Sequence, residues 1–438
     1  MKSKTPDISR RAFLGTVAAV GATTSIARFE ARTPAQTQPV IPKAPDGRLL
    51  KAGLIGCGGR GCGAAANFLD AGANLQITAL ADVFPDRIAE ARRLIKEHKG
   101  QEVLDSRCFT GFDAYQKLLA TDVDVVLHAT PPHFRPMHMA AAIDAKKHLF
   151  MEKPVAVDVP GARAVMQTAE RATSLGLSIM TGTQLRRDYA RIEVRKRILD
   201  GMIGDIRSVR AIRNQGALWY RVPEPGWSEM EYMIRDWVNW AWLSGDNIVE
   251  QHIHHLDAMY WVLGKPPASA VGMGARVRRR TGDQYDFFYN DYKYDNGVHL
   301  ESTIRQLNGC ANGREEVFIG TKGTASLEGT IVDLAGKPIW KYEGPANDSL
   351  VQEHADWITA IRGGKPINTA KETAISTLMA IMGRDSAYTG KGITWDGLMA
   401  SDVRLGPTQY ALGPVGIKAE PPLAGLDHGA PLNAKSSQ

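Results

Sequence analysis

The chain has 438 residues, 44% of them hydrophobic and 23% charged, with a formal net charge of +6. That length accommodates two domains with buried cores, and the composition excludes a disordered or fibrous chain. The four cysteines, Cys57, Cys62, Cys108 and Cys310, show neither a disulfide framework nor zinc-type spacing.

The N-terminus reads as an address. "SRRAFLGTVAAVGATTSIA" joins Arg10-Arg11 to Phe13, Leu14 and an uncharged Ala/Gly/Val stretch, and it resembles a twin-arginine export signal. Small residues at Ser25 and Ala27 place cleavage after Ala27, so residues 1–27 are expected to direct export to the periplasm or an equivalent outside location. Cleavage removes four basic residues and Asp7, taking the net charge from +6 to +3. The remaining basicity is poor support for a nucleic-acid partner. No later apolar run reaches transmembrane length, so the chain is not expected to span a membrane.

Residues 28–47 are proline-rich and polar, which predicts an extended linker or arm. From Leu49 onward, strand and helix patterns alternate. "LLKAGLIG", "LQITALAD", "VDVVLHAT", "HLFMEKP" and "SIMTGTQ" read as buried strands, with helices between them. Apolar strands alternating with helices predict a doubly wound parallel sheet, a Rossmann-type domain over residues 48–184. The rhythm then changes. "IRSVRAIRN", "YDFFYNDYKY", "VHLESTIRQL" and "EVFIGTKGTASLEG" read as longer strands and hairpins, with a tight turn at Asn296-Gly297 whose residues suit positive φ. Residues 185–412 are thus expected to form an α/β domain with a large open, mostly antiparallel sheet, and residues 413–438 an irregular tail.

"LIGCGGRG" sets Gly56-x-Gly58-x-x-Gly61 directly after the first strand and at the mouth of a helix. Such glycines allow a tight turn and close backbone approach, and the helix N-terminus offers free N–H groups to a pyrophosphate. Asp82 ends the second strand 21 residues after Gly61, where a carboxylate can accept from adenosine ribose hydroxyls. A 2′-phosphate would be repelled there, which favours NAD, while nearby Arg87 leaves NADP open.

These motifs, with "HATPPHF", "HLFMEKP" and "GMIGDIRSVRAI", resemble the Gfo/Idh/MocA oxidoreductases, glucose–fructose oxidoreductase among them, over roughly residues 49–390. The resemblance implies a sugar- or polyol-linked dehydrogenase that works as a homo-oligomer. It implies Lys153 beside the nicotinamide, with Pro154 after a cis bond. Gly59, Arg60, Thr130, Pro131 and Glu152 complete the implied cofactor cradle. Many members carry T-P-N-x-x-H where this chain has "TPPHFR", so Arg135 replaces a histidine and no role is carried over for it.

The stretch "SGDNIVEQHIHHLDAMYW", residues 244–261, concentrates Glu250, His252, His254, His255 and Asp257. As a continuous helix over 248–263, at about 100° per residue, it aligns Glu250, His254 and Asp257 beside an apolar stripe and turns His252 and His255 elsewhere. A single metal held by all three histidines is geometrically poor, and no metal is expected. The same three residues match the family pattern D-x-x-x-H-x-x-D, with Glu for the first Asp. The resemblance makes His254 the acid/base for a sugar hydroxyl, a task suited to a pKa near neutrality, with Glu250 orienting the sugar and Asp257 in support. Gln184, Arg186, Trp219, Tyr220, Arg235 and Trp237 are further sugar-contact candidates, since aromatic faces stack on sugar C–H faces and arginine donates to hydroxyls. An exported enzyme meets little free NAD, so the cofactor is expected to be tightly held and reset in place. The rival reading is an NAD-dependent glycoside hydrolase, in which transient oxidation permits elimination with no net redox change.

Overall fold

The computed structural model describes residues 43–425, so the expected export signal, most of the arm and residues 426–438 lie outside the described residues. Two sheets organise the chain. The first has six parallel strands, β1 (Leu50–Ile55), β2 (Leu75–Asp82), β3 (Cys108–Thr110), β4 (Val125–His128), β5 (His148–Met151) and β6 (Ile179–Thr181). Their spatial order is β3-β2-β1-β4-β5-β6. Order reverses between β1 and β4, and a crevice opens there at the carboxyl ends of the strands. Strands such as β1 (LKAGLI) are almost continuously buried because helices cover both faces.

The second sheet has nine strands: β7 (Ile206–Gln215), β8 (Ser269–Ala275), β9 (Phe287–Lys293), β10 (His299–Gln306), β11 (Gly313–Gly320), β12 (Gly323–Ser326), β13 (Thr330–Asp333), β14 (Pro338–Lys341) and β15 (Ile393–Thr394). Only β7 and β10 pair parallel; every other neighbour is antiparallel. Alternation along β7 and β11 buries Val209, Ala211, Glu316 and Phe318 against helices on one face. The β9–β10 turn forms at Asp295-Asn296-Gly297, but only Gly297 takes positive φ (81°). Gly297 N–H donates to the Tyr294 carbonyl, so the loop has three residues and a single left-handed position, not the two of a primed turn.

The chain does not leave the first sheet for good after β6. The helix Ser349–Arg362 returns to it, and Trp357 packs in one cluster with Phe68 and Phe150. The helix Ala370–Thr389 bridges the two halves, with Ala374 in the first core and Leu378 to Met382 in the second. The two halves are thereby packed against each other through one helix.

The expected continuous helix over 248–263 is broken. Asn247–Glu250 and Ile253–Leu263 are separate helices with a turn at Gln251-His252. At the break Gln251 N–H and His252 N–H both donate to the Asn247 carbonyl, and the Glu250 carbonyl accepts from a distant residue, Lys153 Nζ, at 2.6 Å.

Candidate active site

The glycine loop follows β1 and opens the helix Gly59–Asp70. Gly56 takes φ +90°, and a side chain there would strike the Thr130 backbone nitrogen at 2.6 Å. A Cβ at Gly61 would lie 1.9 Å from the Gly56 carbonyl oxygen, whereas Gly58 and Gly59 face open space. The helix N-terminus has no side-chain cap, so its N–H groups stay available to an anion.

Asp82 accepts from Cys57 N–H at 2.7 Å and Phe84 N–H at 2.9 Å, one on each oxygen. Burial raises its pKa, with those two hydrogen bonds acting against the rise. Each oxygen keeps lone-pair capacity for a ribose hydroxyl. Asp82, Gly56, Gly58 and Gly59 line a cavity of about 440 Å³ with Thr130 and Pro131, the shape and chemistry of an adenosine-dinucleotide crevice. The residues present therefore fit a nicotinamide dinucleotide.

The second half of the chain closes this cavity. Trp219, Ile234, Arg235, Trp237 and Tyr410 all line it. Arg235 donates to both oxygens of Asp86 (3.0 and 2.9 Å) and lies 3.9 Å from the centroid of the Phe84 ring. Trp219, Arg235 and Trp237, expected at the sugar, line the same cavity as Asp82 and the glycine loop. Tyr220 is exposed and its hydroxyl accepts from Arg280 at 2.9 Å. Tyr410, whose hydroxyl is 2.7 Å from His133 Nε2, had no sequence signal, since it sits in an irregular segment.

Glu152-Lys153-Pro154 follows β5 directly, with a cis Lys153–Pro154 bond. Arg60 Nε donates to Glu152 Oε1 at 2.6 Å and ties the glycine loop to this segment. Arg135, to which the sequence assigned no role, is buried and gathers the carbonyls of Thr130, Glu152 and Pro154. Burial lowers its pKa to about 10. Its departure from the family motif was the available signal.

Lys153 Nζ also meets Glu250 Oε1 at 3.1 Å, and Glu250 Oε2 accepts from the Gln251 amide. Burial alone would raise the Glu250 pKa, but Lys153, Gln251 and Arg135 together bring it below the usual carboxylate value. His254 lies one turn on, partly accessible, with no hydrogen-bond partner among the described residues. Burial first, then Lys153, Arg213, Arg314 and Arg191, push its pKa well below 6.5, so the expected near-neutral value is corrected to a neutral imidazole. His252 and His255 face the second sheet instead. His252 Nε2 meets Ser302 Oγ at 2.8 Å, and the two imidazoles stack with centroids 5.2 Å apart. Among the described residues no cluster of three or more His, Cys, Asp or Glu side chains could hold a metal.

Arg186 and Asp257, both expected at the substrate, hold each other. Arg186 Nε and Nη2 each donate to the Asp257 carboxylate at 2.8 Å, and Ser376 Oγ adds a third donor at 2.7 Å. Gln184 begins the short helical turn Gln184–Arg187 after β6 and is partly exposed.

Residues 50–179 match the family model described as "Oxidoreductase family, NAD-binding Rossmann fold", and residues 192–326 match the "GFO/IDH/MocA C-terminal domain". The D-glucoside 3-dehydrogenase of Escherichia coli (strain K12) is 27% identical over 224 residues, 51% of this chain and 56% of that protein. A glycosyl hydrolase family 109 protein of Streptomyces coelicolor is 30% identical over 216 residues, 47% of this chain and 44% of that one. The chain therefore spans about half the length of these curated relatives. The solved scyllo-inositol dehydrogenase of Lactobacillus casei with bound NAD(H) and scyllo-inositol shares the fold, at TM-score 0.60 and 18% identity, covering 79% of this chain and 99% of that one.

Proposed function

The chain belongs to the Gfo/Idh/MocA oxidoreductase family, and on that premise we propose that it moves a hydride between a sugar or polyol carbon and a tightly held NAD. The observation that carries this reading is the Lys153–Glu250 pair just after β5, with His254 one turn on and within the electrostatic reach of Lys153. When bound, the nicotinamide supplies the hydride-accepting chemistry, and the chain's own groups position the sugar and handle its proton. The neutral His254 imidazole is a base ready to accept a hydroxyl proton. Lys153 spends two N–H groups on Glu250 and has a third for the reacting oxygen. Glu250 fixes the lysine and orients the sugar. Asp82 and the 2′-hydroxyl chemistry it suits favour NAD, and Arg87 at the cavity wall leaves NADP as the variant to test.

Export through the twin-arginine route is part of the proposal and rests on residues 1–27. Retention is supported by the closure of Arg235 on Asp86 and of Tyr410 on His133 over the crevice. A retained cofactor must be reset in place by a second sugar or an external acceptor. The exposed Met273–Tyr289 cross-strand pair on the outer face of the second sheet supports a homo-oligomer. The second reading, glycoside cleavage by transient oxidation and elimination, is favoured by the similarity to glycosyl hydrolase family 109 proteins.

One experiment separates them. Purified protein is mixed with free sugars and with p-nitrophenyl glycosides while the bound nicotinamide is followed by absorbance. Cofactor reduction by free sugars without glycoside cleavage supports the dehydrogenase; p-nitrophenol release with no net change in NADH absorbance overturns it.

A further inference from the structure

Arg213 on β7 and Arg314 on β11 stand directly opposite each other in the antiparallel register. Directly opposed side chains leave the same face of a sheet. Here it is the face that packs on the helix Ile253–Leu263, since Ala211 and Glu316 along the same rows are buried there. Like charges placed this way repel, so the pair needs a reason.

No carboxylate hydrogen-bonds either arginine, although Glu250 and Glu316 attract Arg213 through space. Arg213 donates to Gln215 Oε1 at 3.1 Å, to the Gln251 carbonyl at 3.1 Å and to Gln251 Oε1 at 2.8 Å, all neutral acceptors. Arg314 is exposed and has no hydrogen-bond or ion-pair partner among the described residues. The adjacent carboxylates are committed elsewhere: Glu250 to Lys153, and Glu316 to Arg191. A partly buried guanidinium without a carboxylate is costly, and an arriving anion would relieve it. The arginines also adjoin the chemistry, because Gln251, held by Arg213, donates to Glu250. Both arginines contribute to the neutrality of His254.

We propose that the sugar presented to His254 carries an anionic group, a carboxylate or a phosphate ester, held by Arg213 and Arg314. This rests on the sugar-oxidoreductase reading and names its substrate class. Two guanidinium groups side by side can each donate charge-assisted hydrogen bonds to such a group.

The test uses the cofactor-loaded protein and three ligands of similar size: glucose, glucuronate and glucose 6-phosphate. Affinity is measured by calorimetry, and the nicotinamide spectrum is recorded separately. At least one anionic ligand should bind about ten- to a hundredfold more tightly than glucose, and the preference should shrink as salt rises. Arg314→Gln, at an exposed position, should erase that preference, and Arg314→Lys should restore part of it. Glucuronate and glucose 6-phosphate distinguish the two anion types. Equal binding of all three ligands, or a preference that survives Arg314→Gln, overturns the proposal. An anion held through Arg314 that never changes the nicotinamide spectrum would leave this site standing and remove the oxidoreductase reading. Reduction by glucose alone, with no anion preference, would do the reverse.

Discussion

The two ends of the crevice handle positive charge differently. On the dinucleotide side the arginines are satisfied by the protein: Arg60 by Glu152, Arg235 by Asp86 and Glu231, and Arg135 by three carbonyls. On the proposed sugar side Lys153 faces Glu250, but no carboxylate makes a hydrogen bond or ion pair with Arg213 or Arg314. A dinucleotide pyrophosphate can rest on N–H groups at a helix N-terminus, so the side-chain charges there are free to clamp protein to protein. A sugar offers no such backbone cradle, and recognition falls to side chains held ready and uncompensated. The distinction predicts which substitutions strike chemistry and which strike stability.

The largest effect is expected at His254, which lies on the uncompensated side. His254→Ala loses no hydrogen bond, so the protein should fold and hold its cofactor, while turnover falls about 10²- to 10⁴-fold. NAD(H) released by heat denaturation checks retention, and steady-state rates check the loss. Full activity in this variant would move the proton chemistry elsewhere.

Asp257→Asn probes the compensated class. It leaves Arg186 with a neutral amide in place of one carboxylate while Glu372 still pairs with it, so the loss should fall below the roughly 3–5 kcal/mol of a fully orphaned buried charge, at about 1–3 kcal/mol. Denaturant melts should show that loss, with KM for the sugar unchanged. A raised KM at unaltered stability would instead return Arg186 and Asp257 to the sugar site. Next in size, Arg235→Ala should release cofactor about tenfold faster, because the bidentate contact with Asp86 helps close the crevice. A release rate equal to wild type would show that the Asp86 contact does not retain the cofactor.

These pairings also explain what could be read from the sequence. The glycine loop was legible because its physics is local: an apolar strand, three glycines and a helix start, with Asp82 at the end of the next strand. The two-sheet architecture followed from alternation and strand length. The segment 244–263 was legible only in part. Helical phase separated Glu250 and His254 from His252 and His255, but it did not show the break at Gln251-His252, where the Glu250 carbonyl accepts from Lys153, 97 residues away. Arg186 and Asp257 have the residue types of a sugar site and were matched to each other by tertiary contact alone. Trp219, Arg235 and Trp237 were singled out by residue type, but their sharing one cavity with Asp82 and the glycine loop comes from tertiary contact, which pattern within a segment does not show. Arg213 and Arg314 are 101 positions apart, and only register makes them neighbours.

The smallest expected effect separates two histidines of that segment that are neutral for different reasons. His254 is depressed by burial and by four cations; His252 is depressed to about 3 by burial, with Arg213 adding to it. In the unfolded chain a histidine titrates near 6.5, so below that pH the unfolded state binds a proton that folded His252 refuses. Stability is therefore lost as pH falls from 6.5 towards about 3, by roughly 1.4 kcal/mol per pH unit for this one group. Asp283, raised to about 7 by burial, acts in the opposite direction because it keeps its proton when folded. Comparing His252→Gln with wild type cancels that contribution, and glutamine can still donate to Ser302. Urea melts at pH 6.5 and 5.5 should show the variant losing about 1 kcal/mol less than wild type. Parallel losses would mean that His252 is protonated in the folded state, and its place between helix and sheet would then have to admit a counter-charge that Ser302 does not provide.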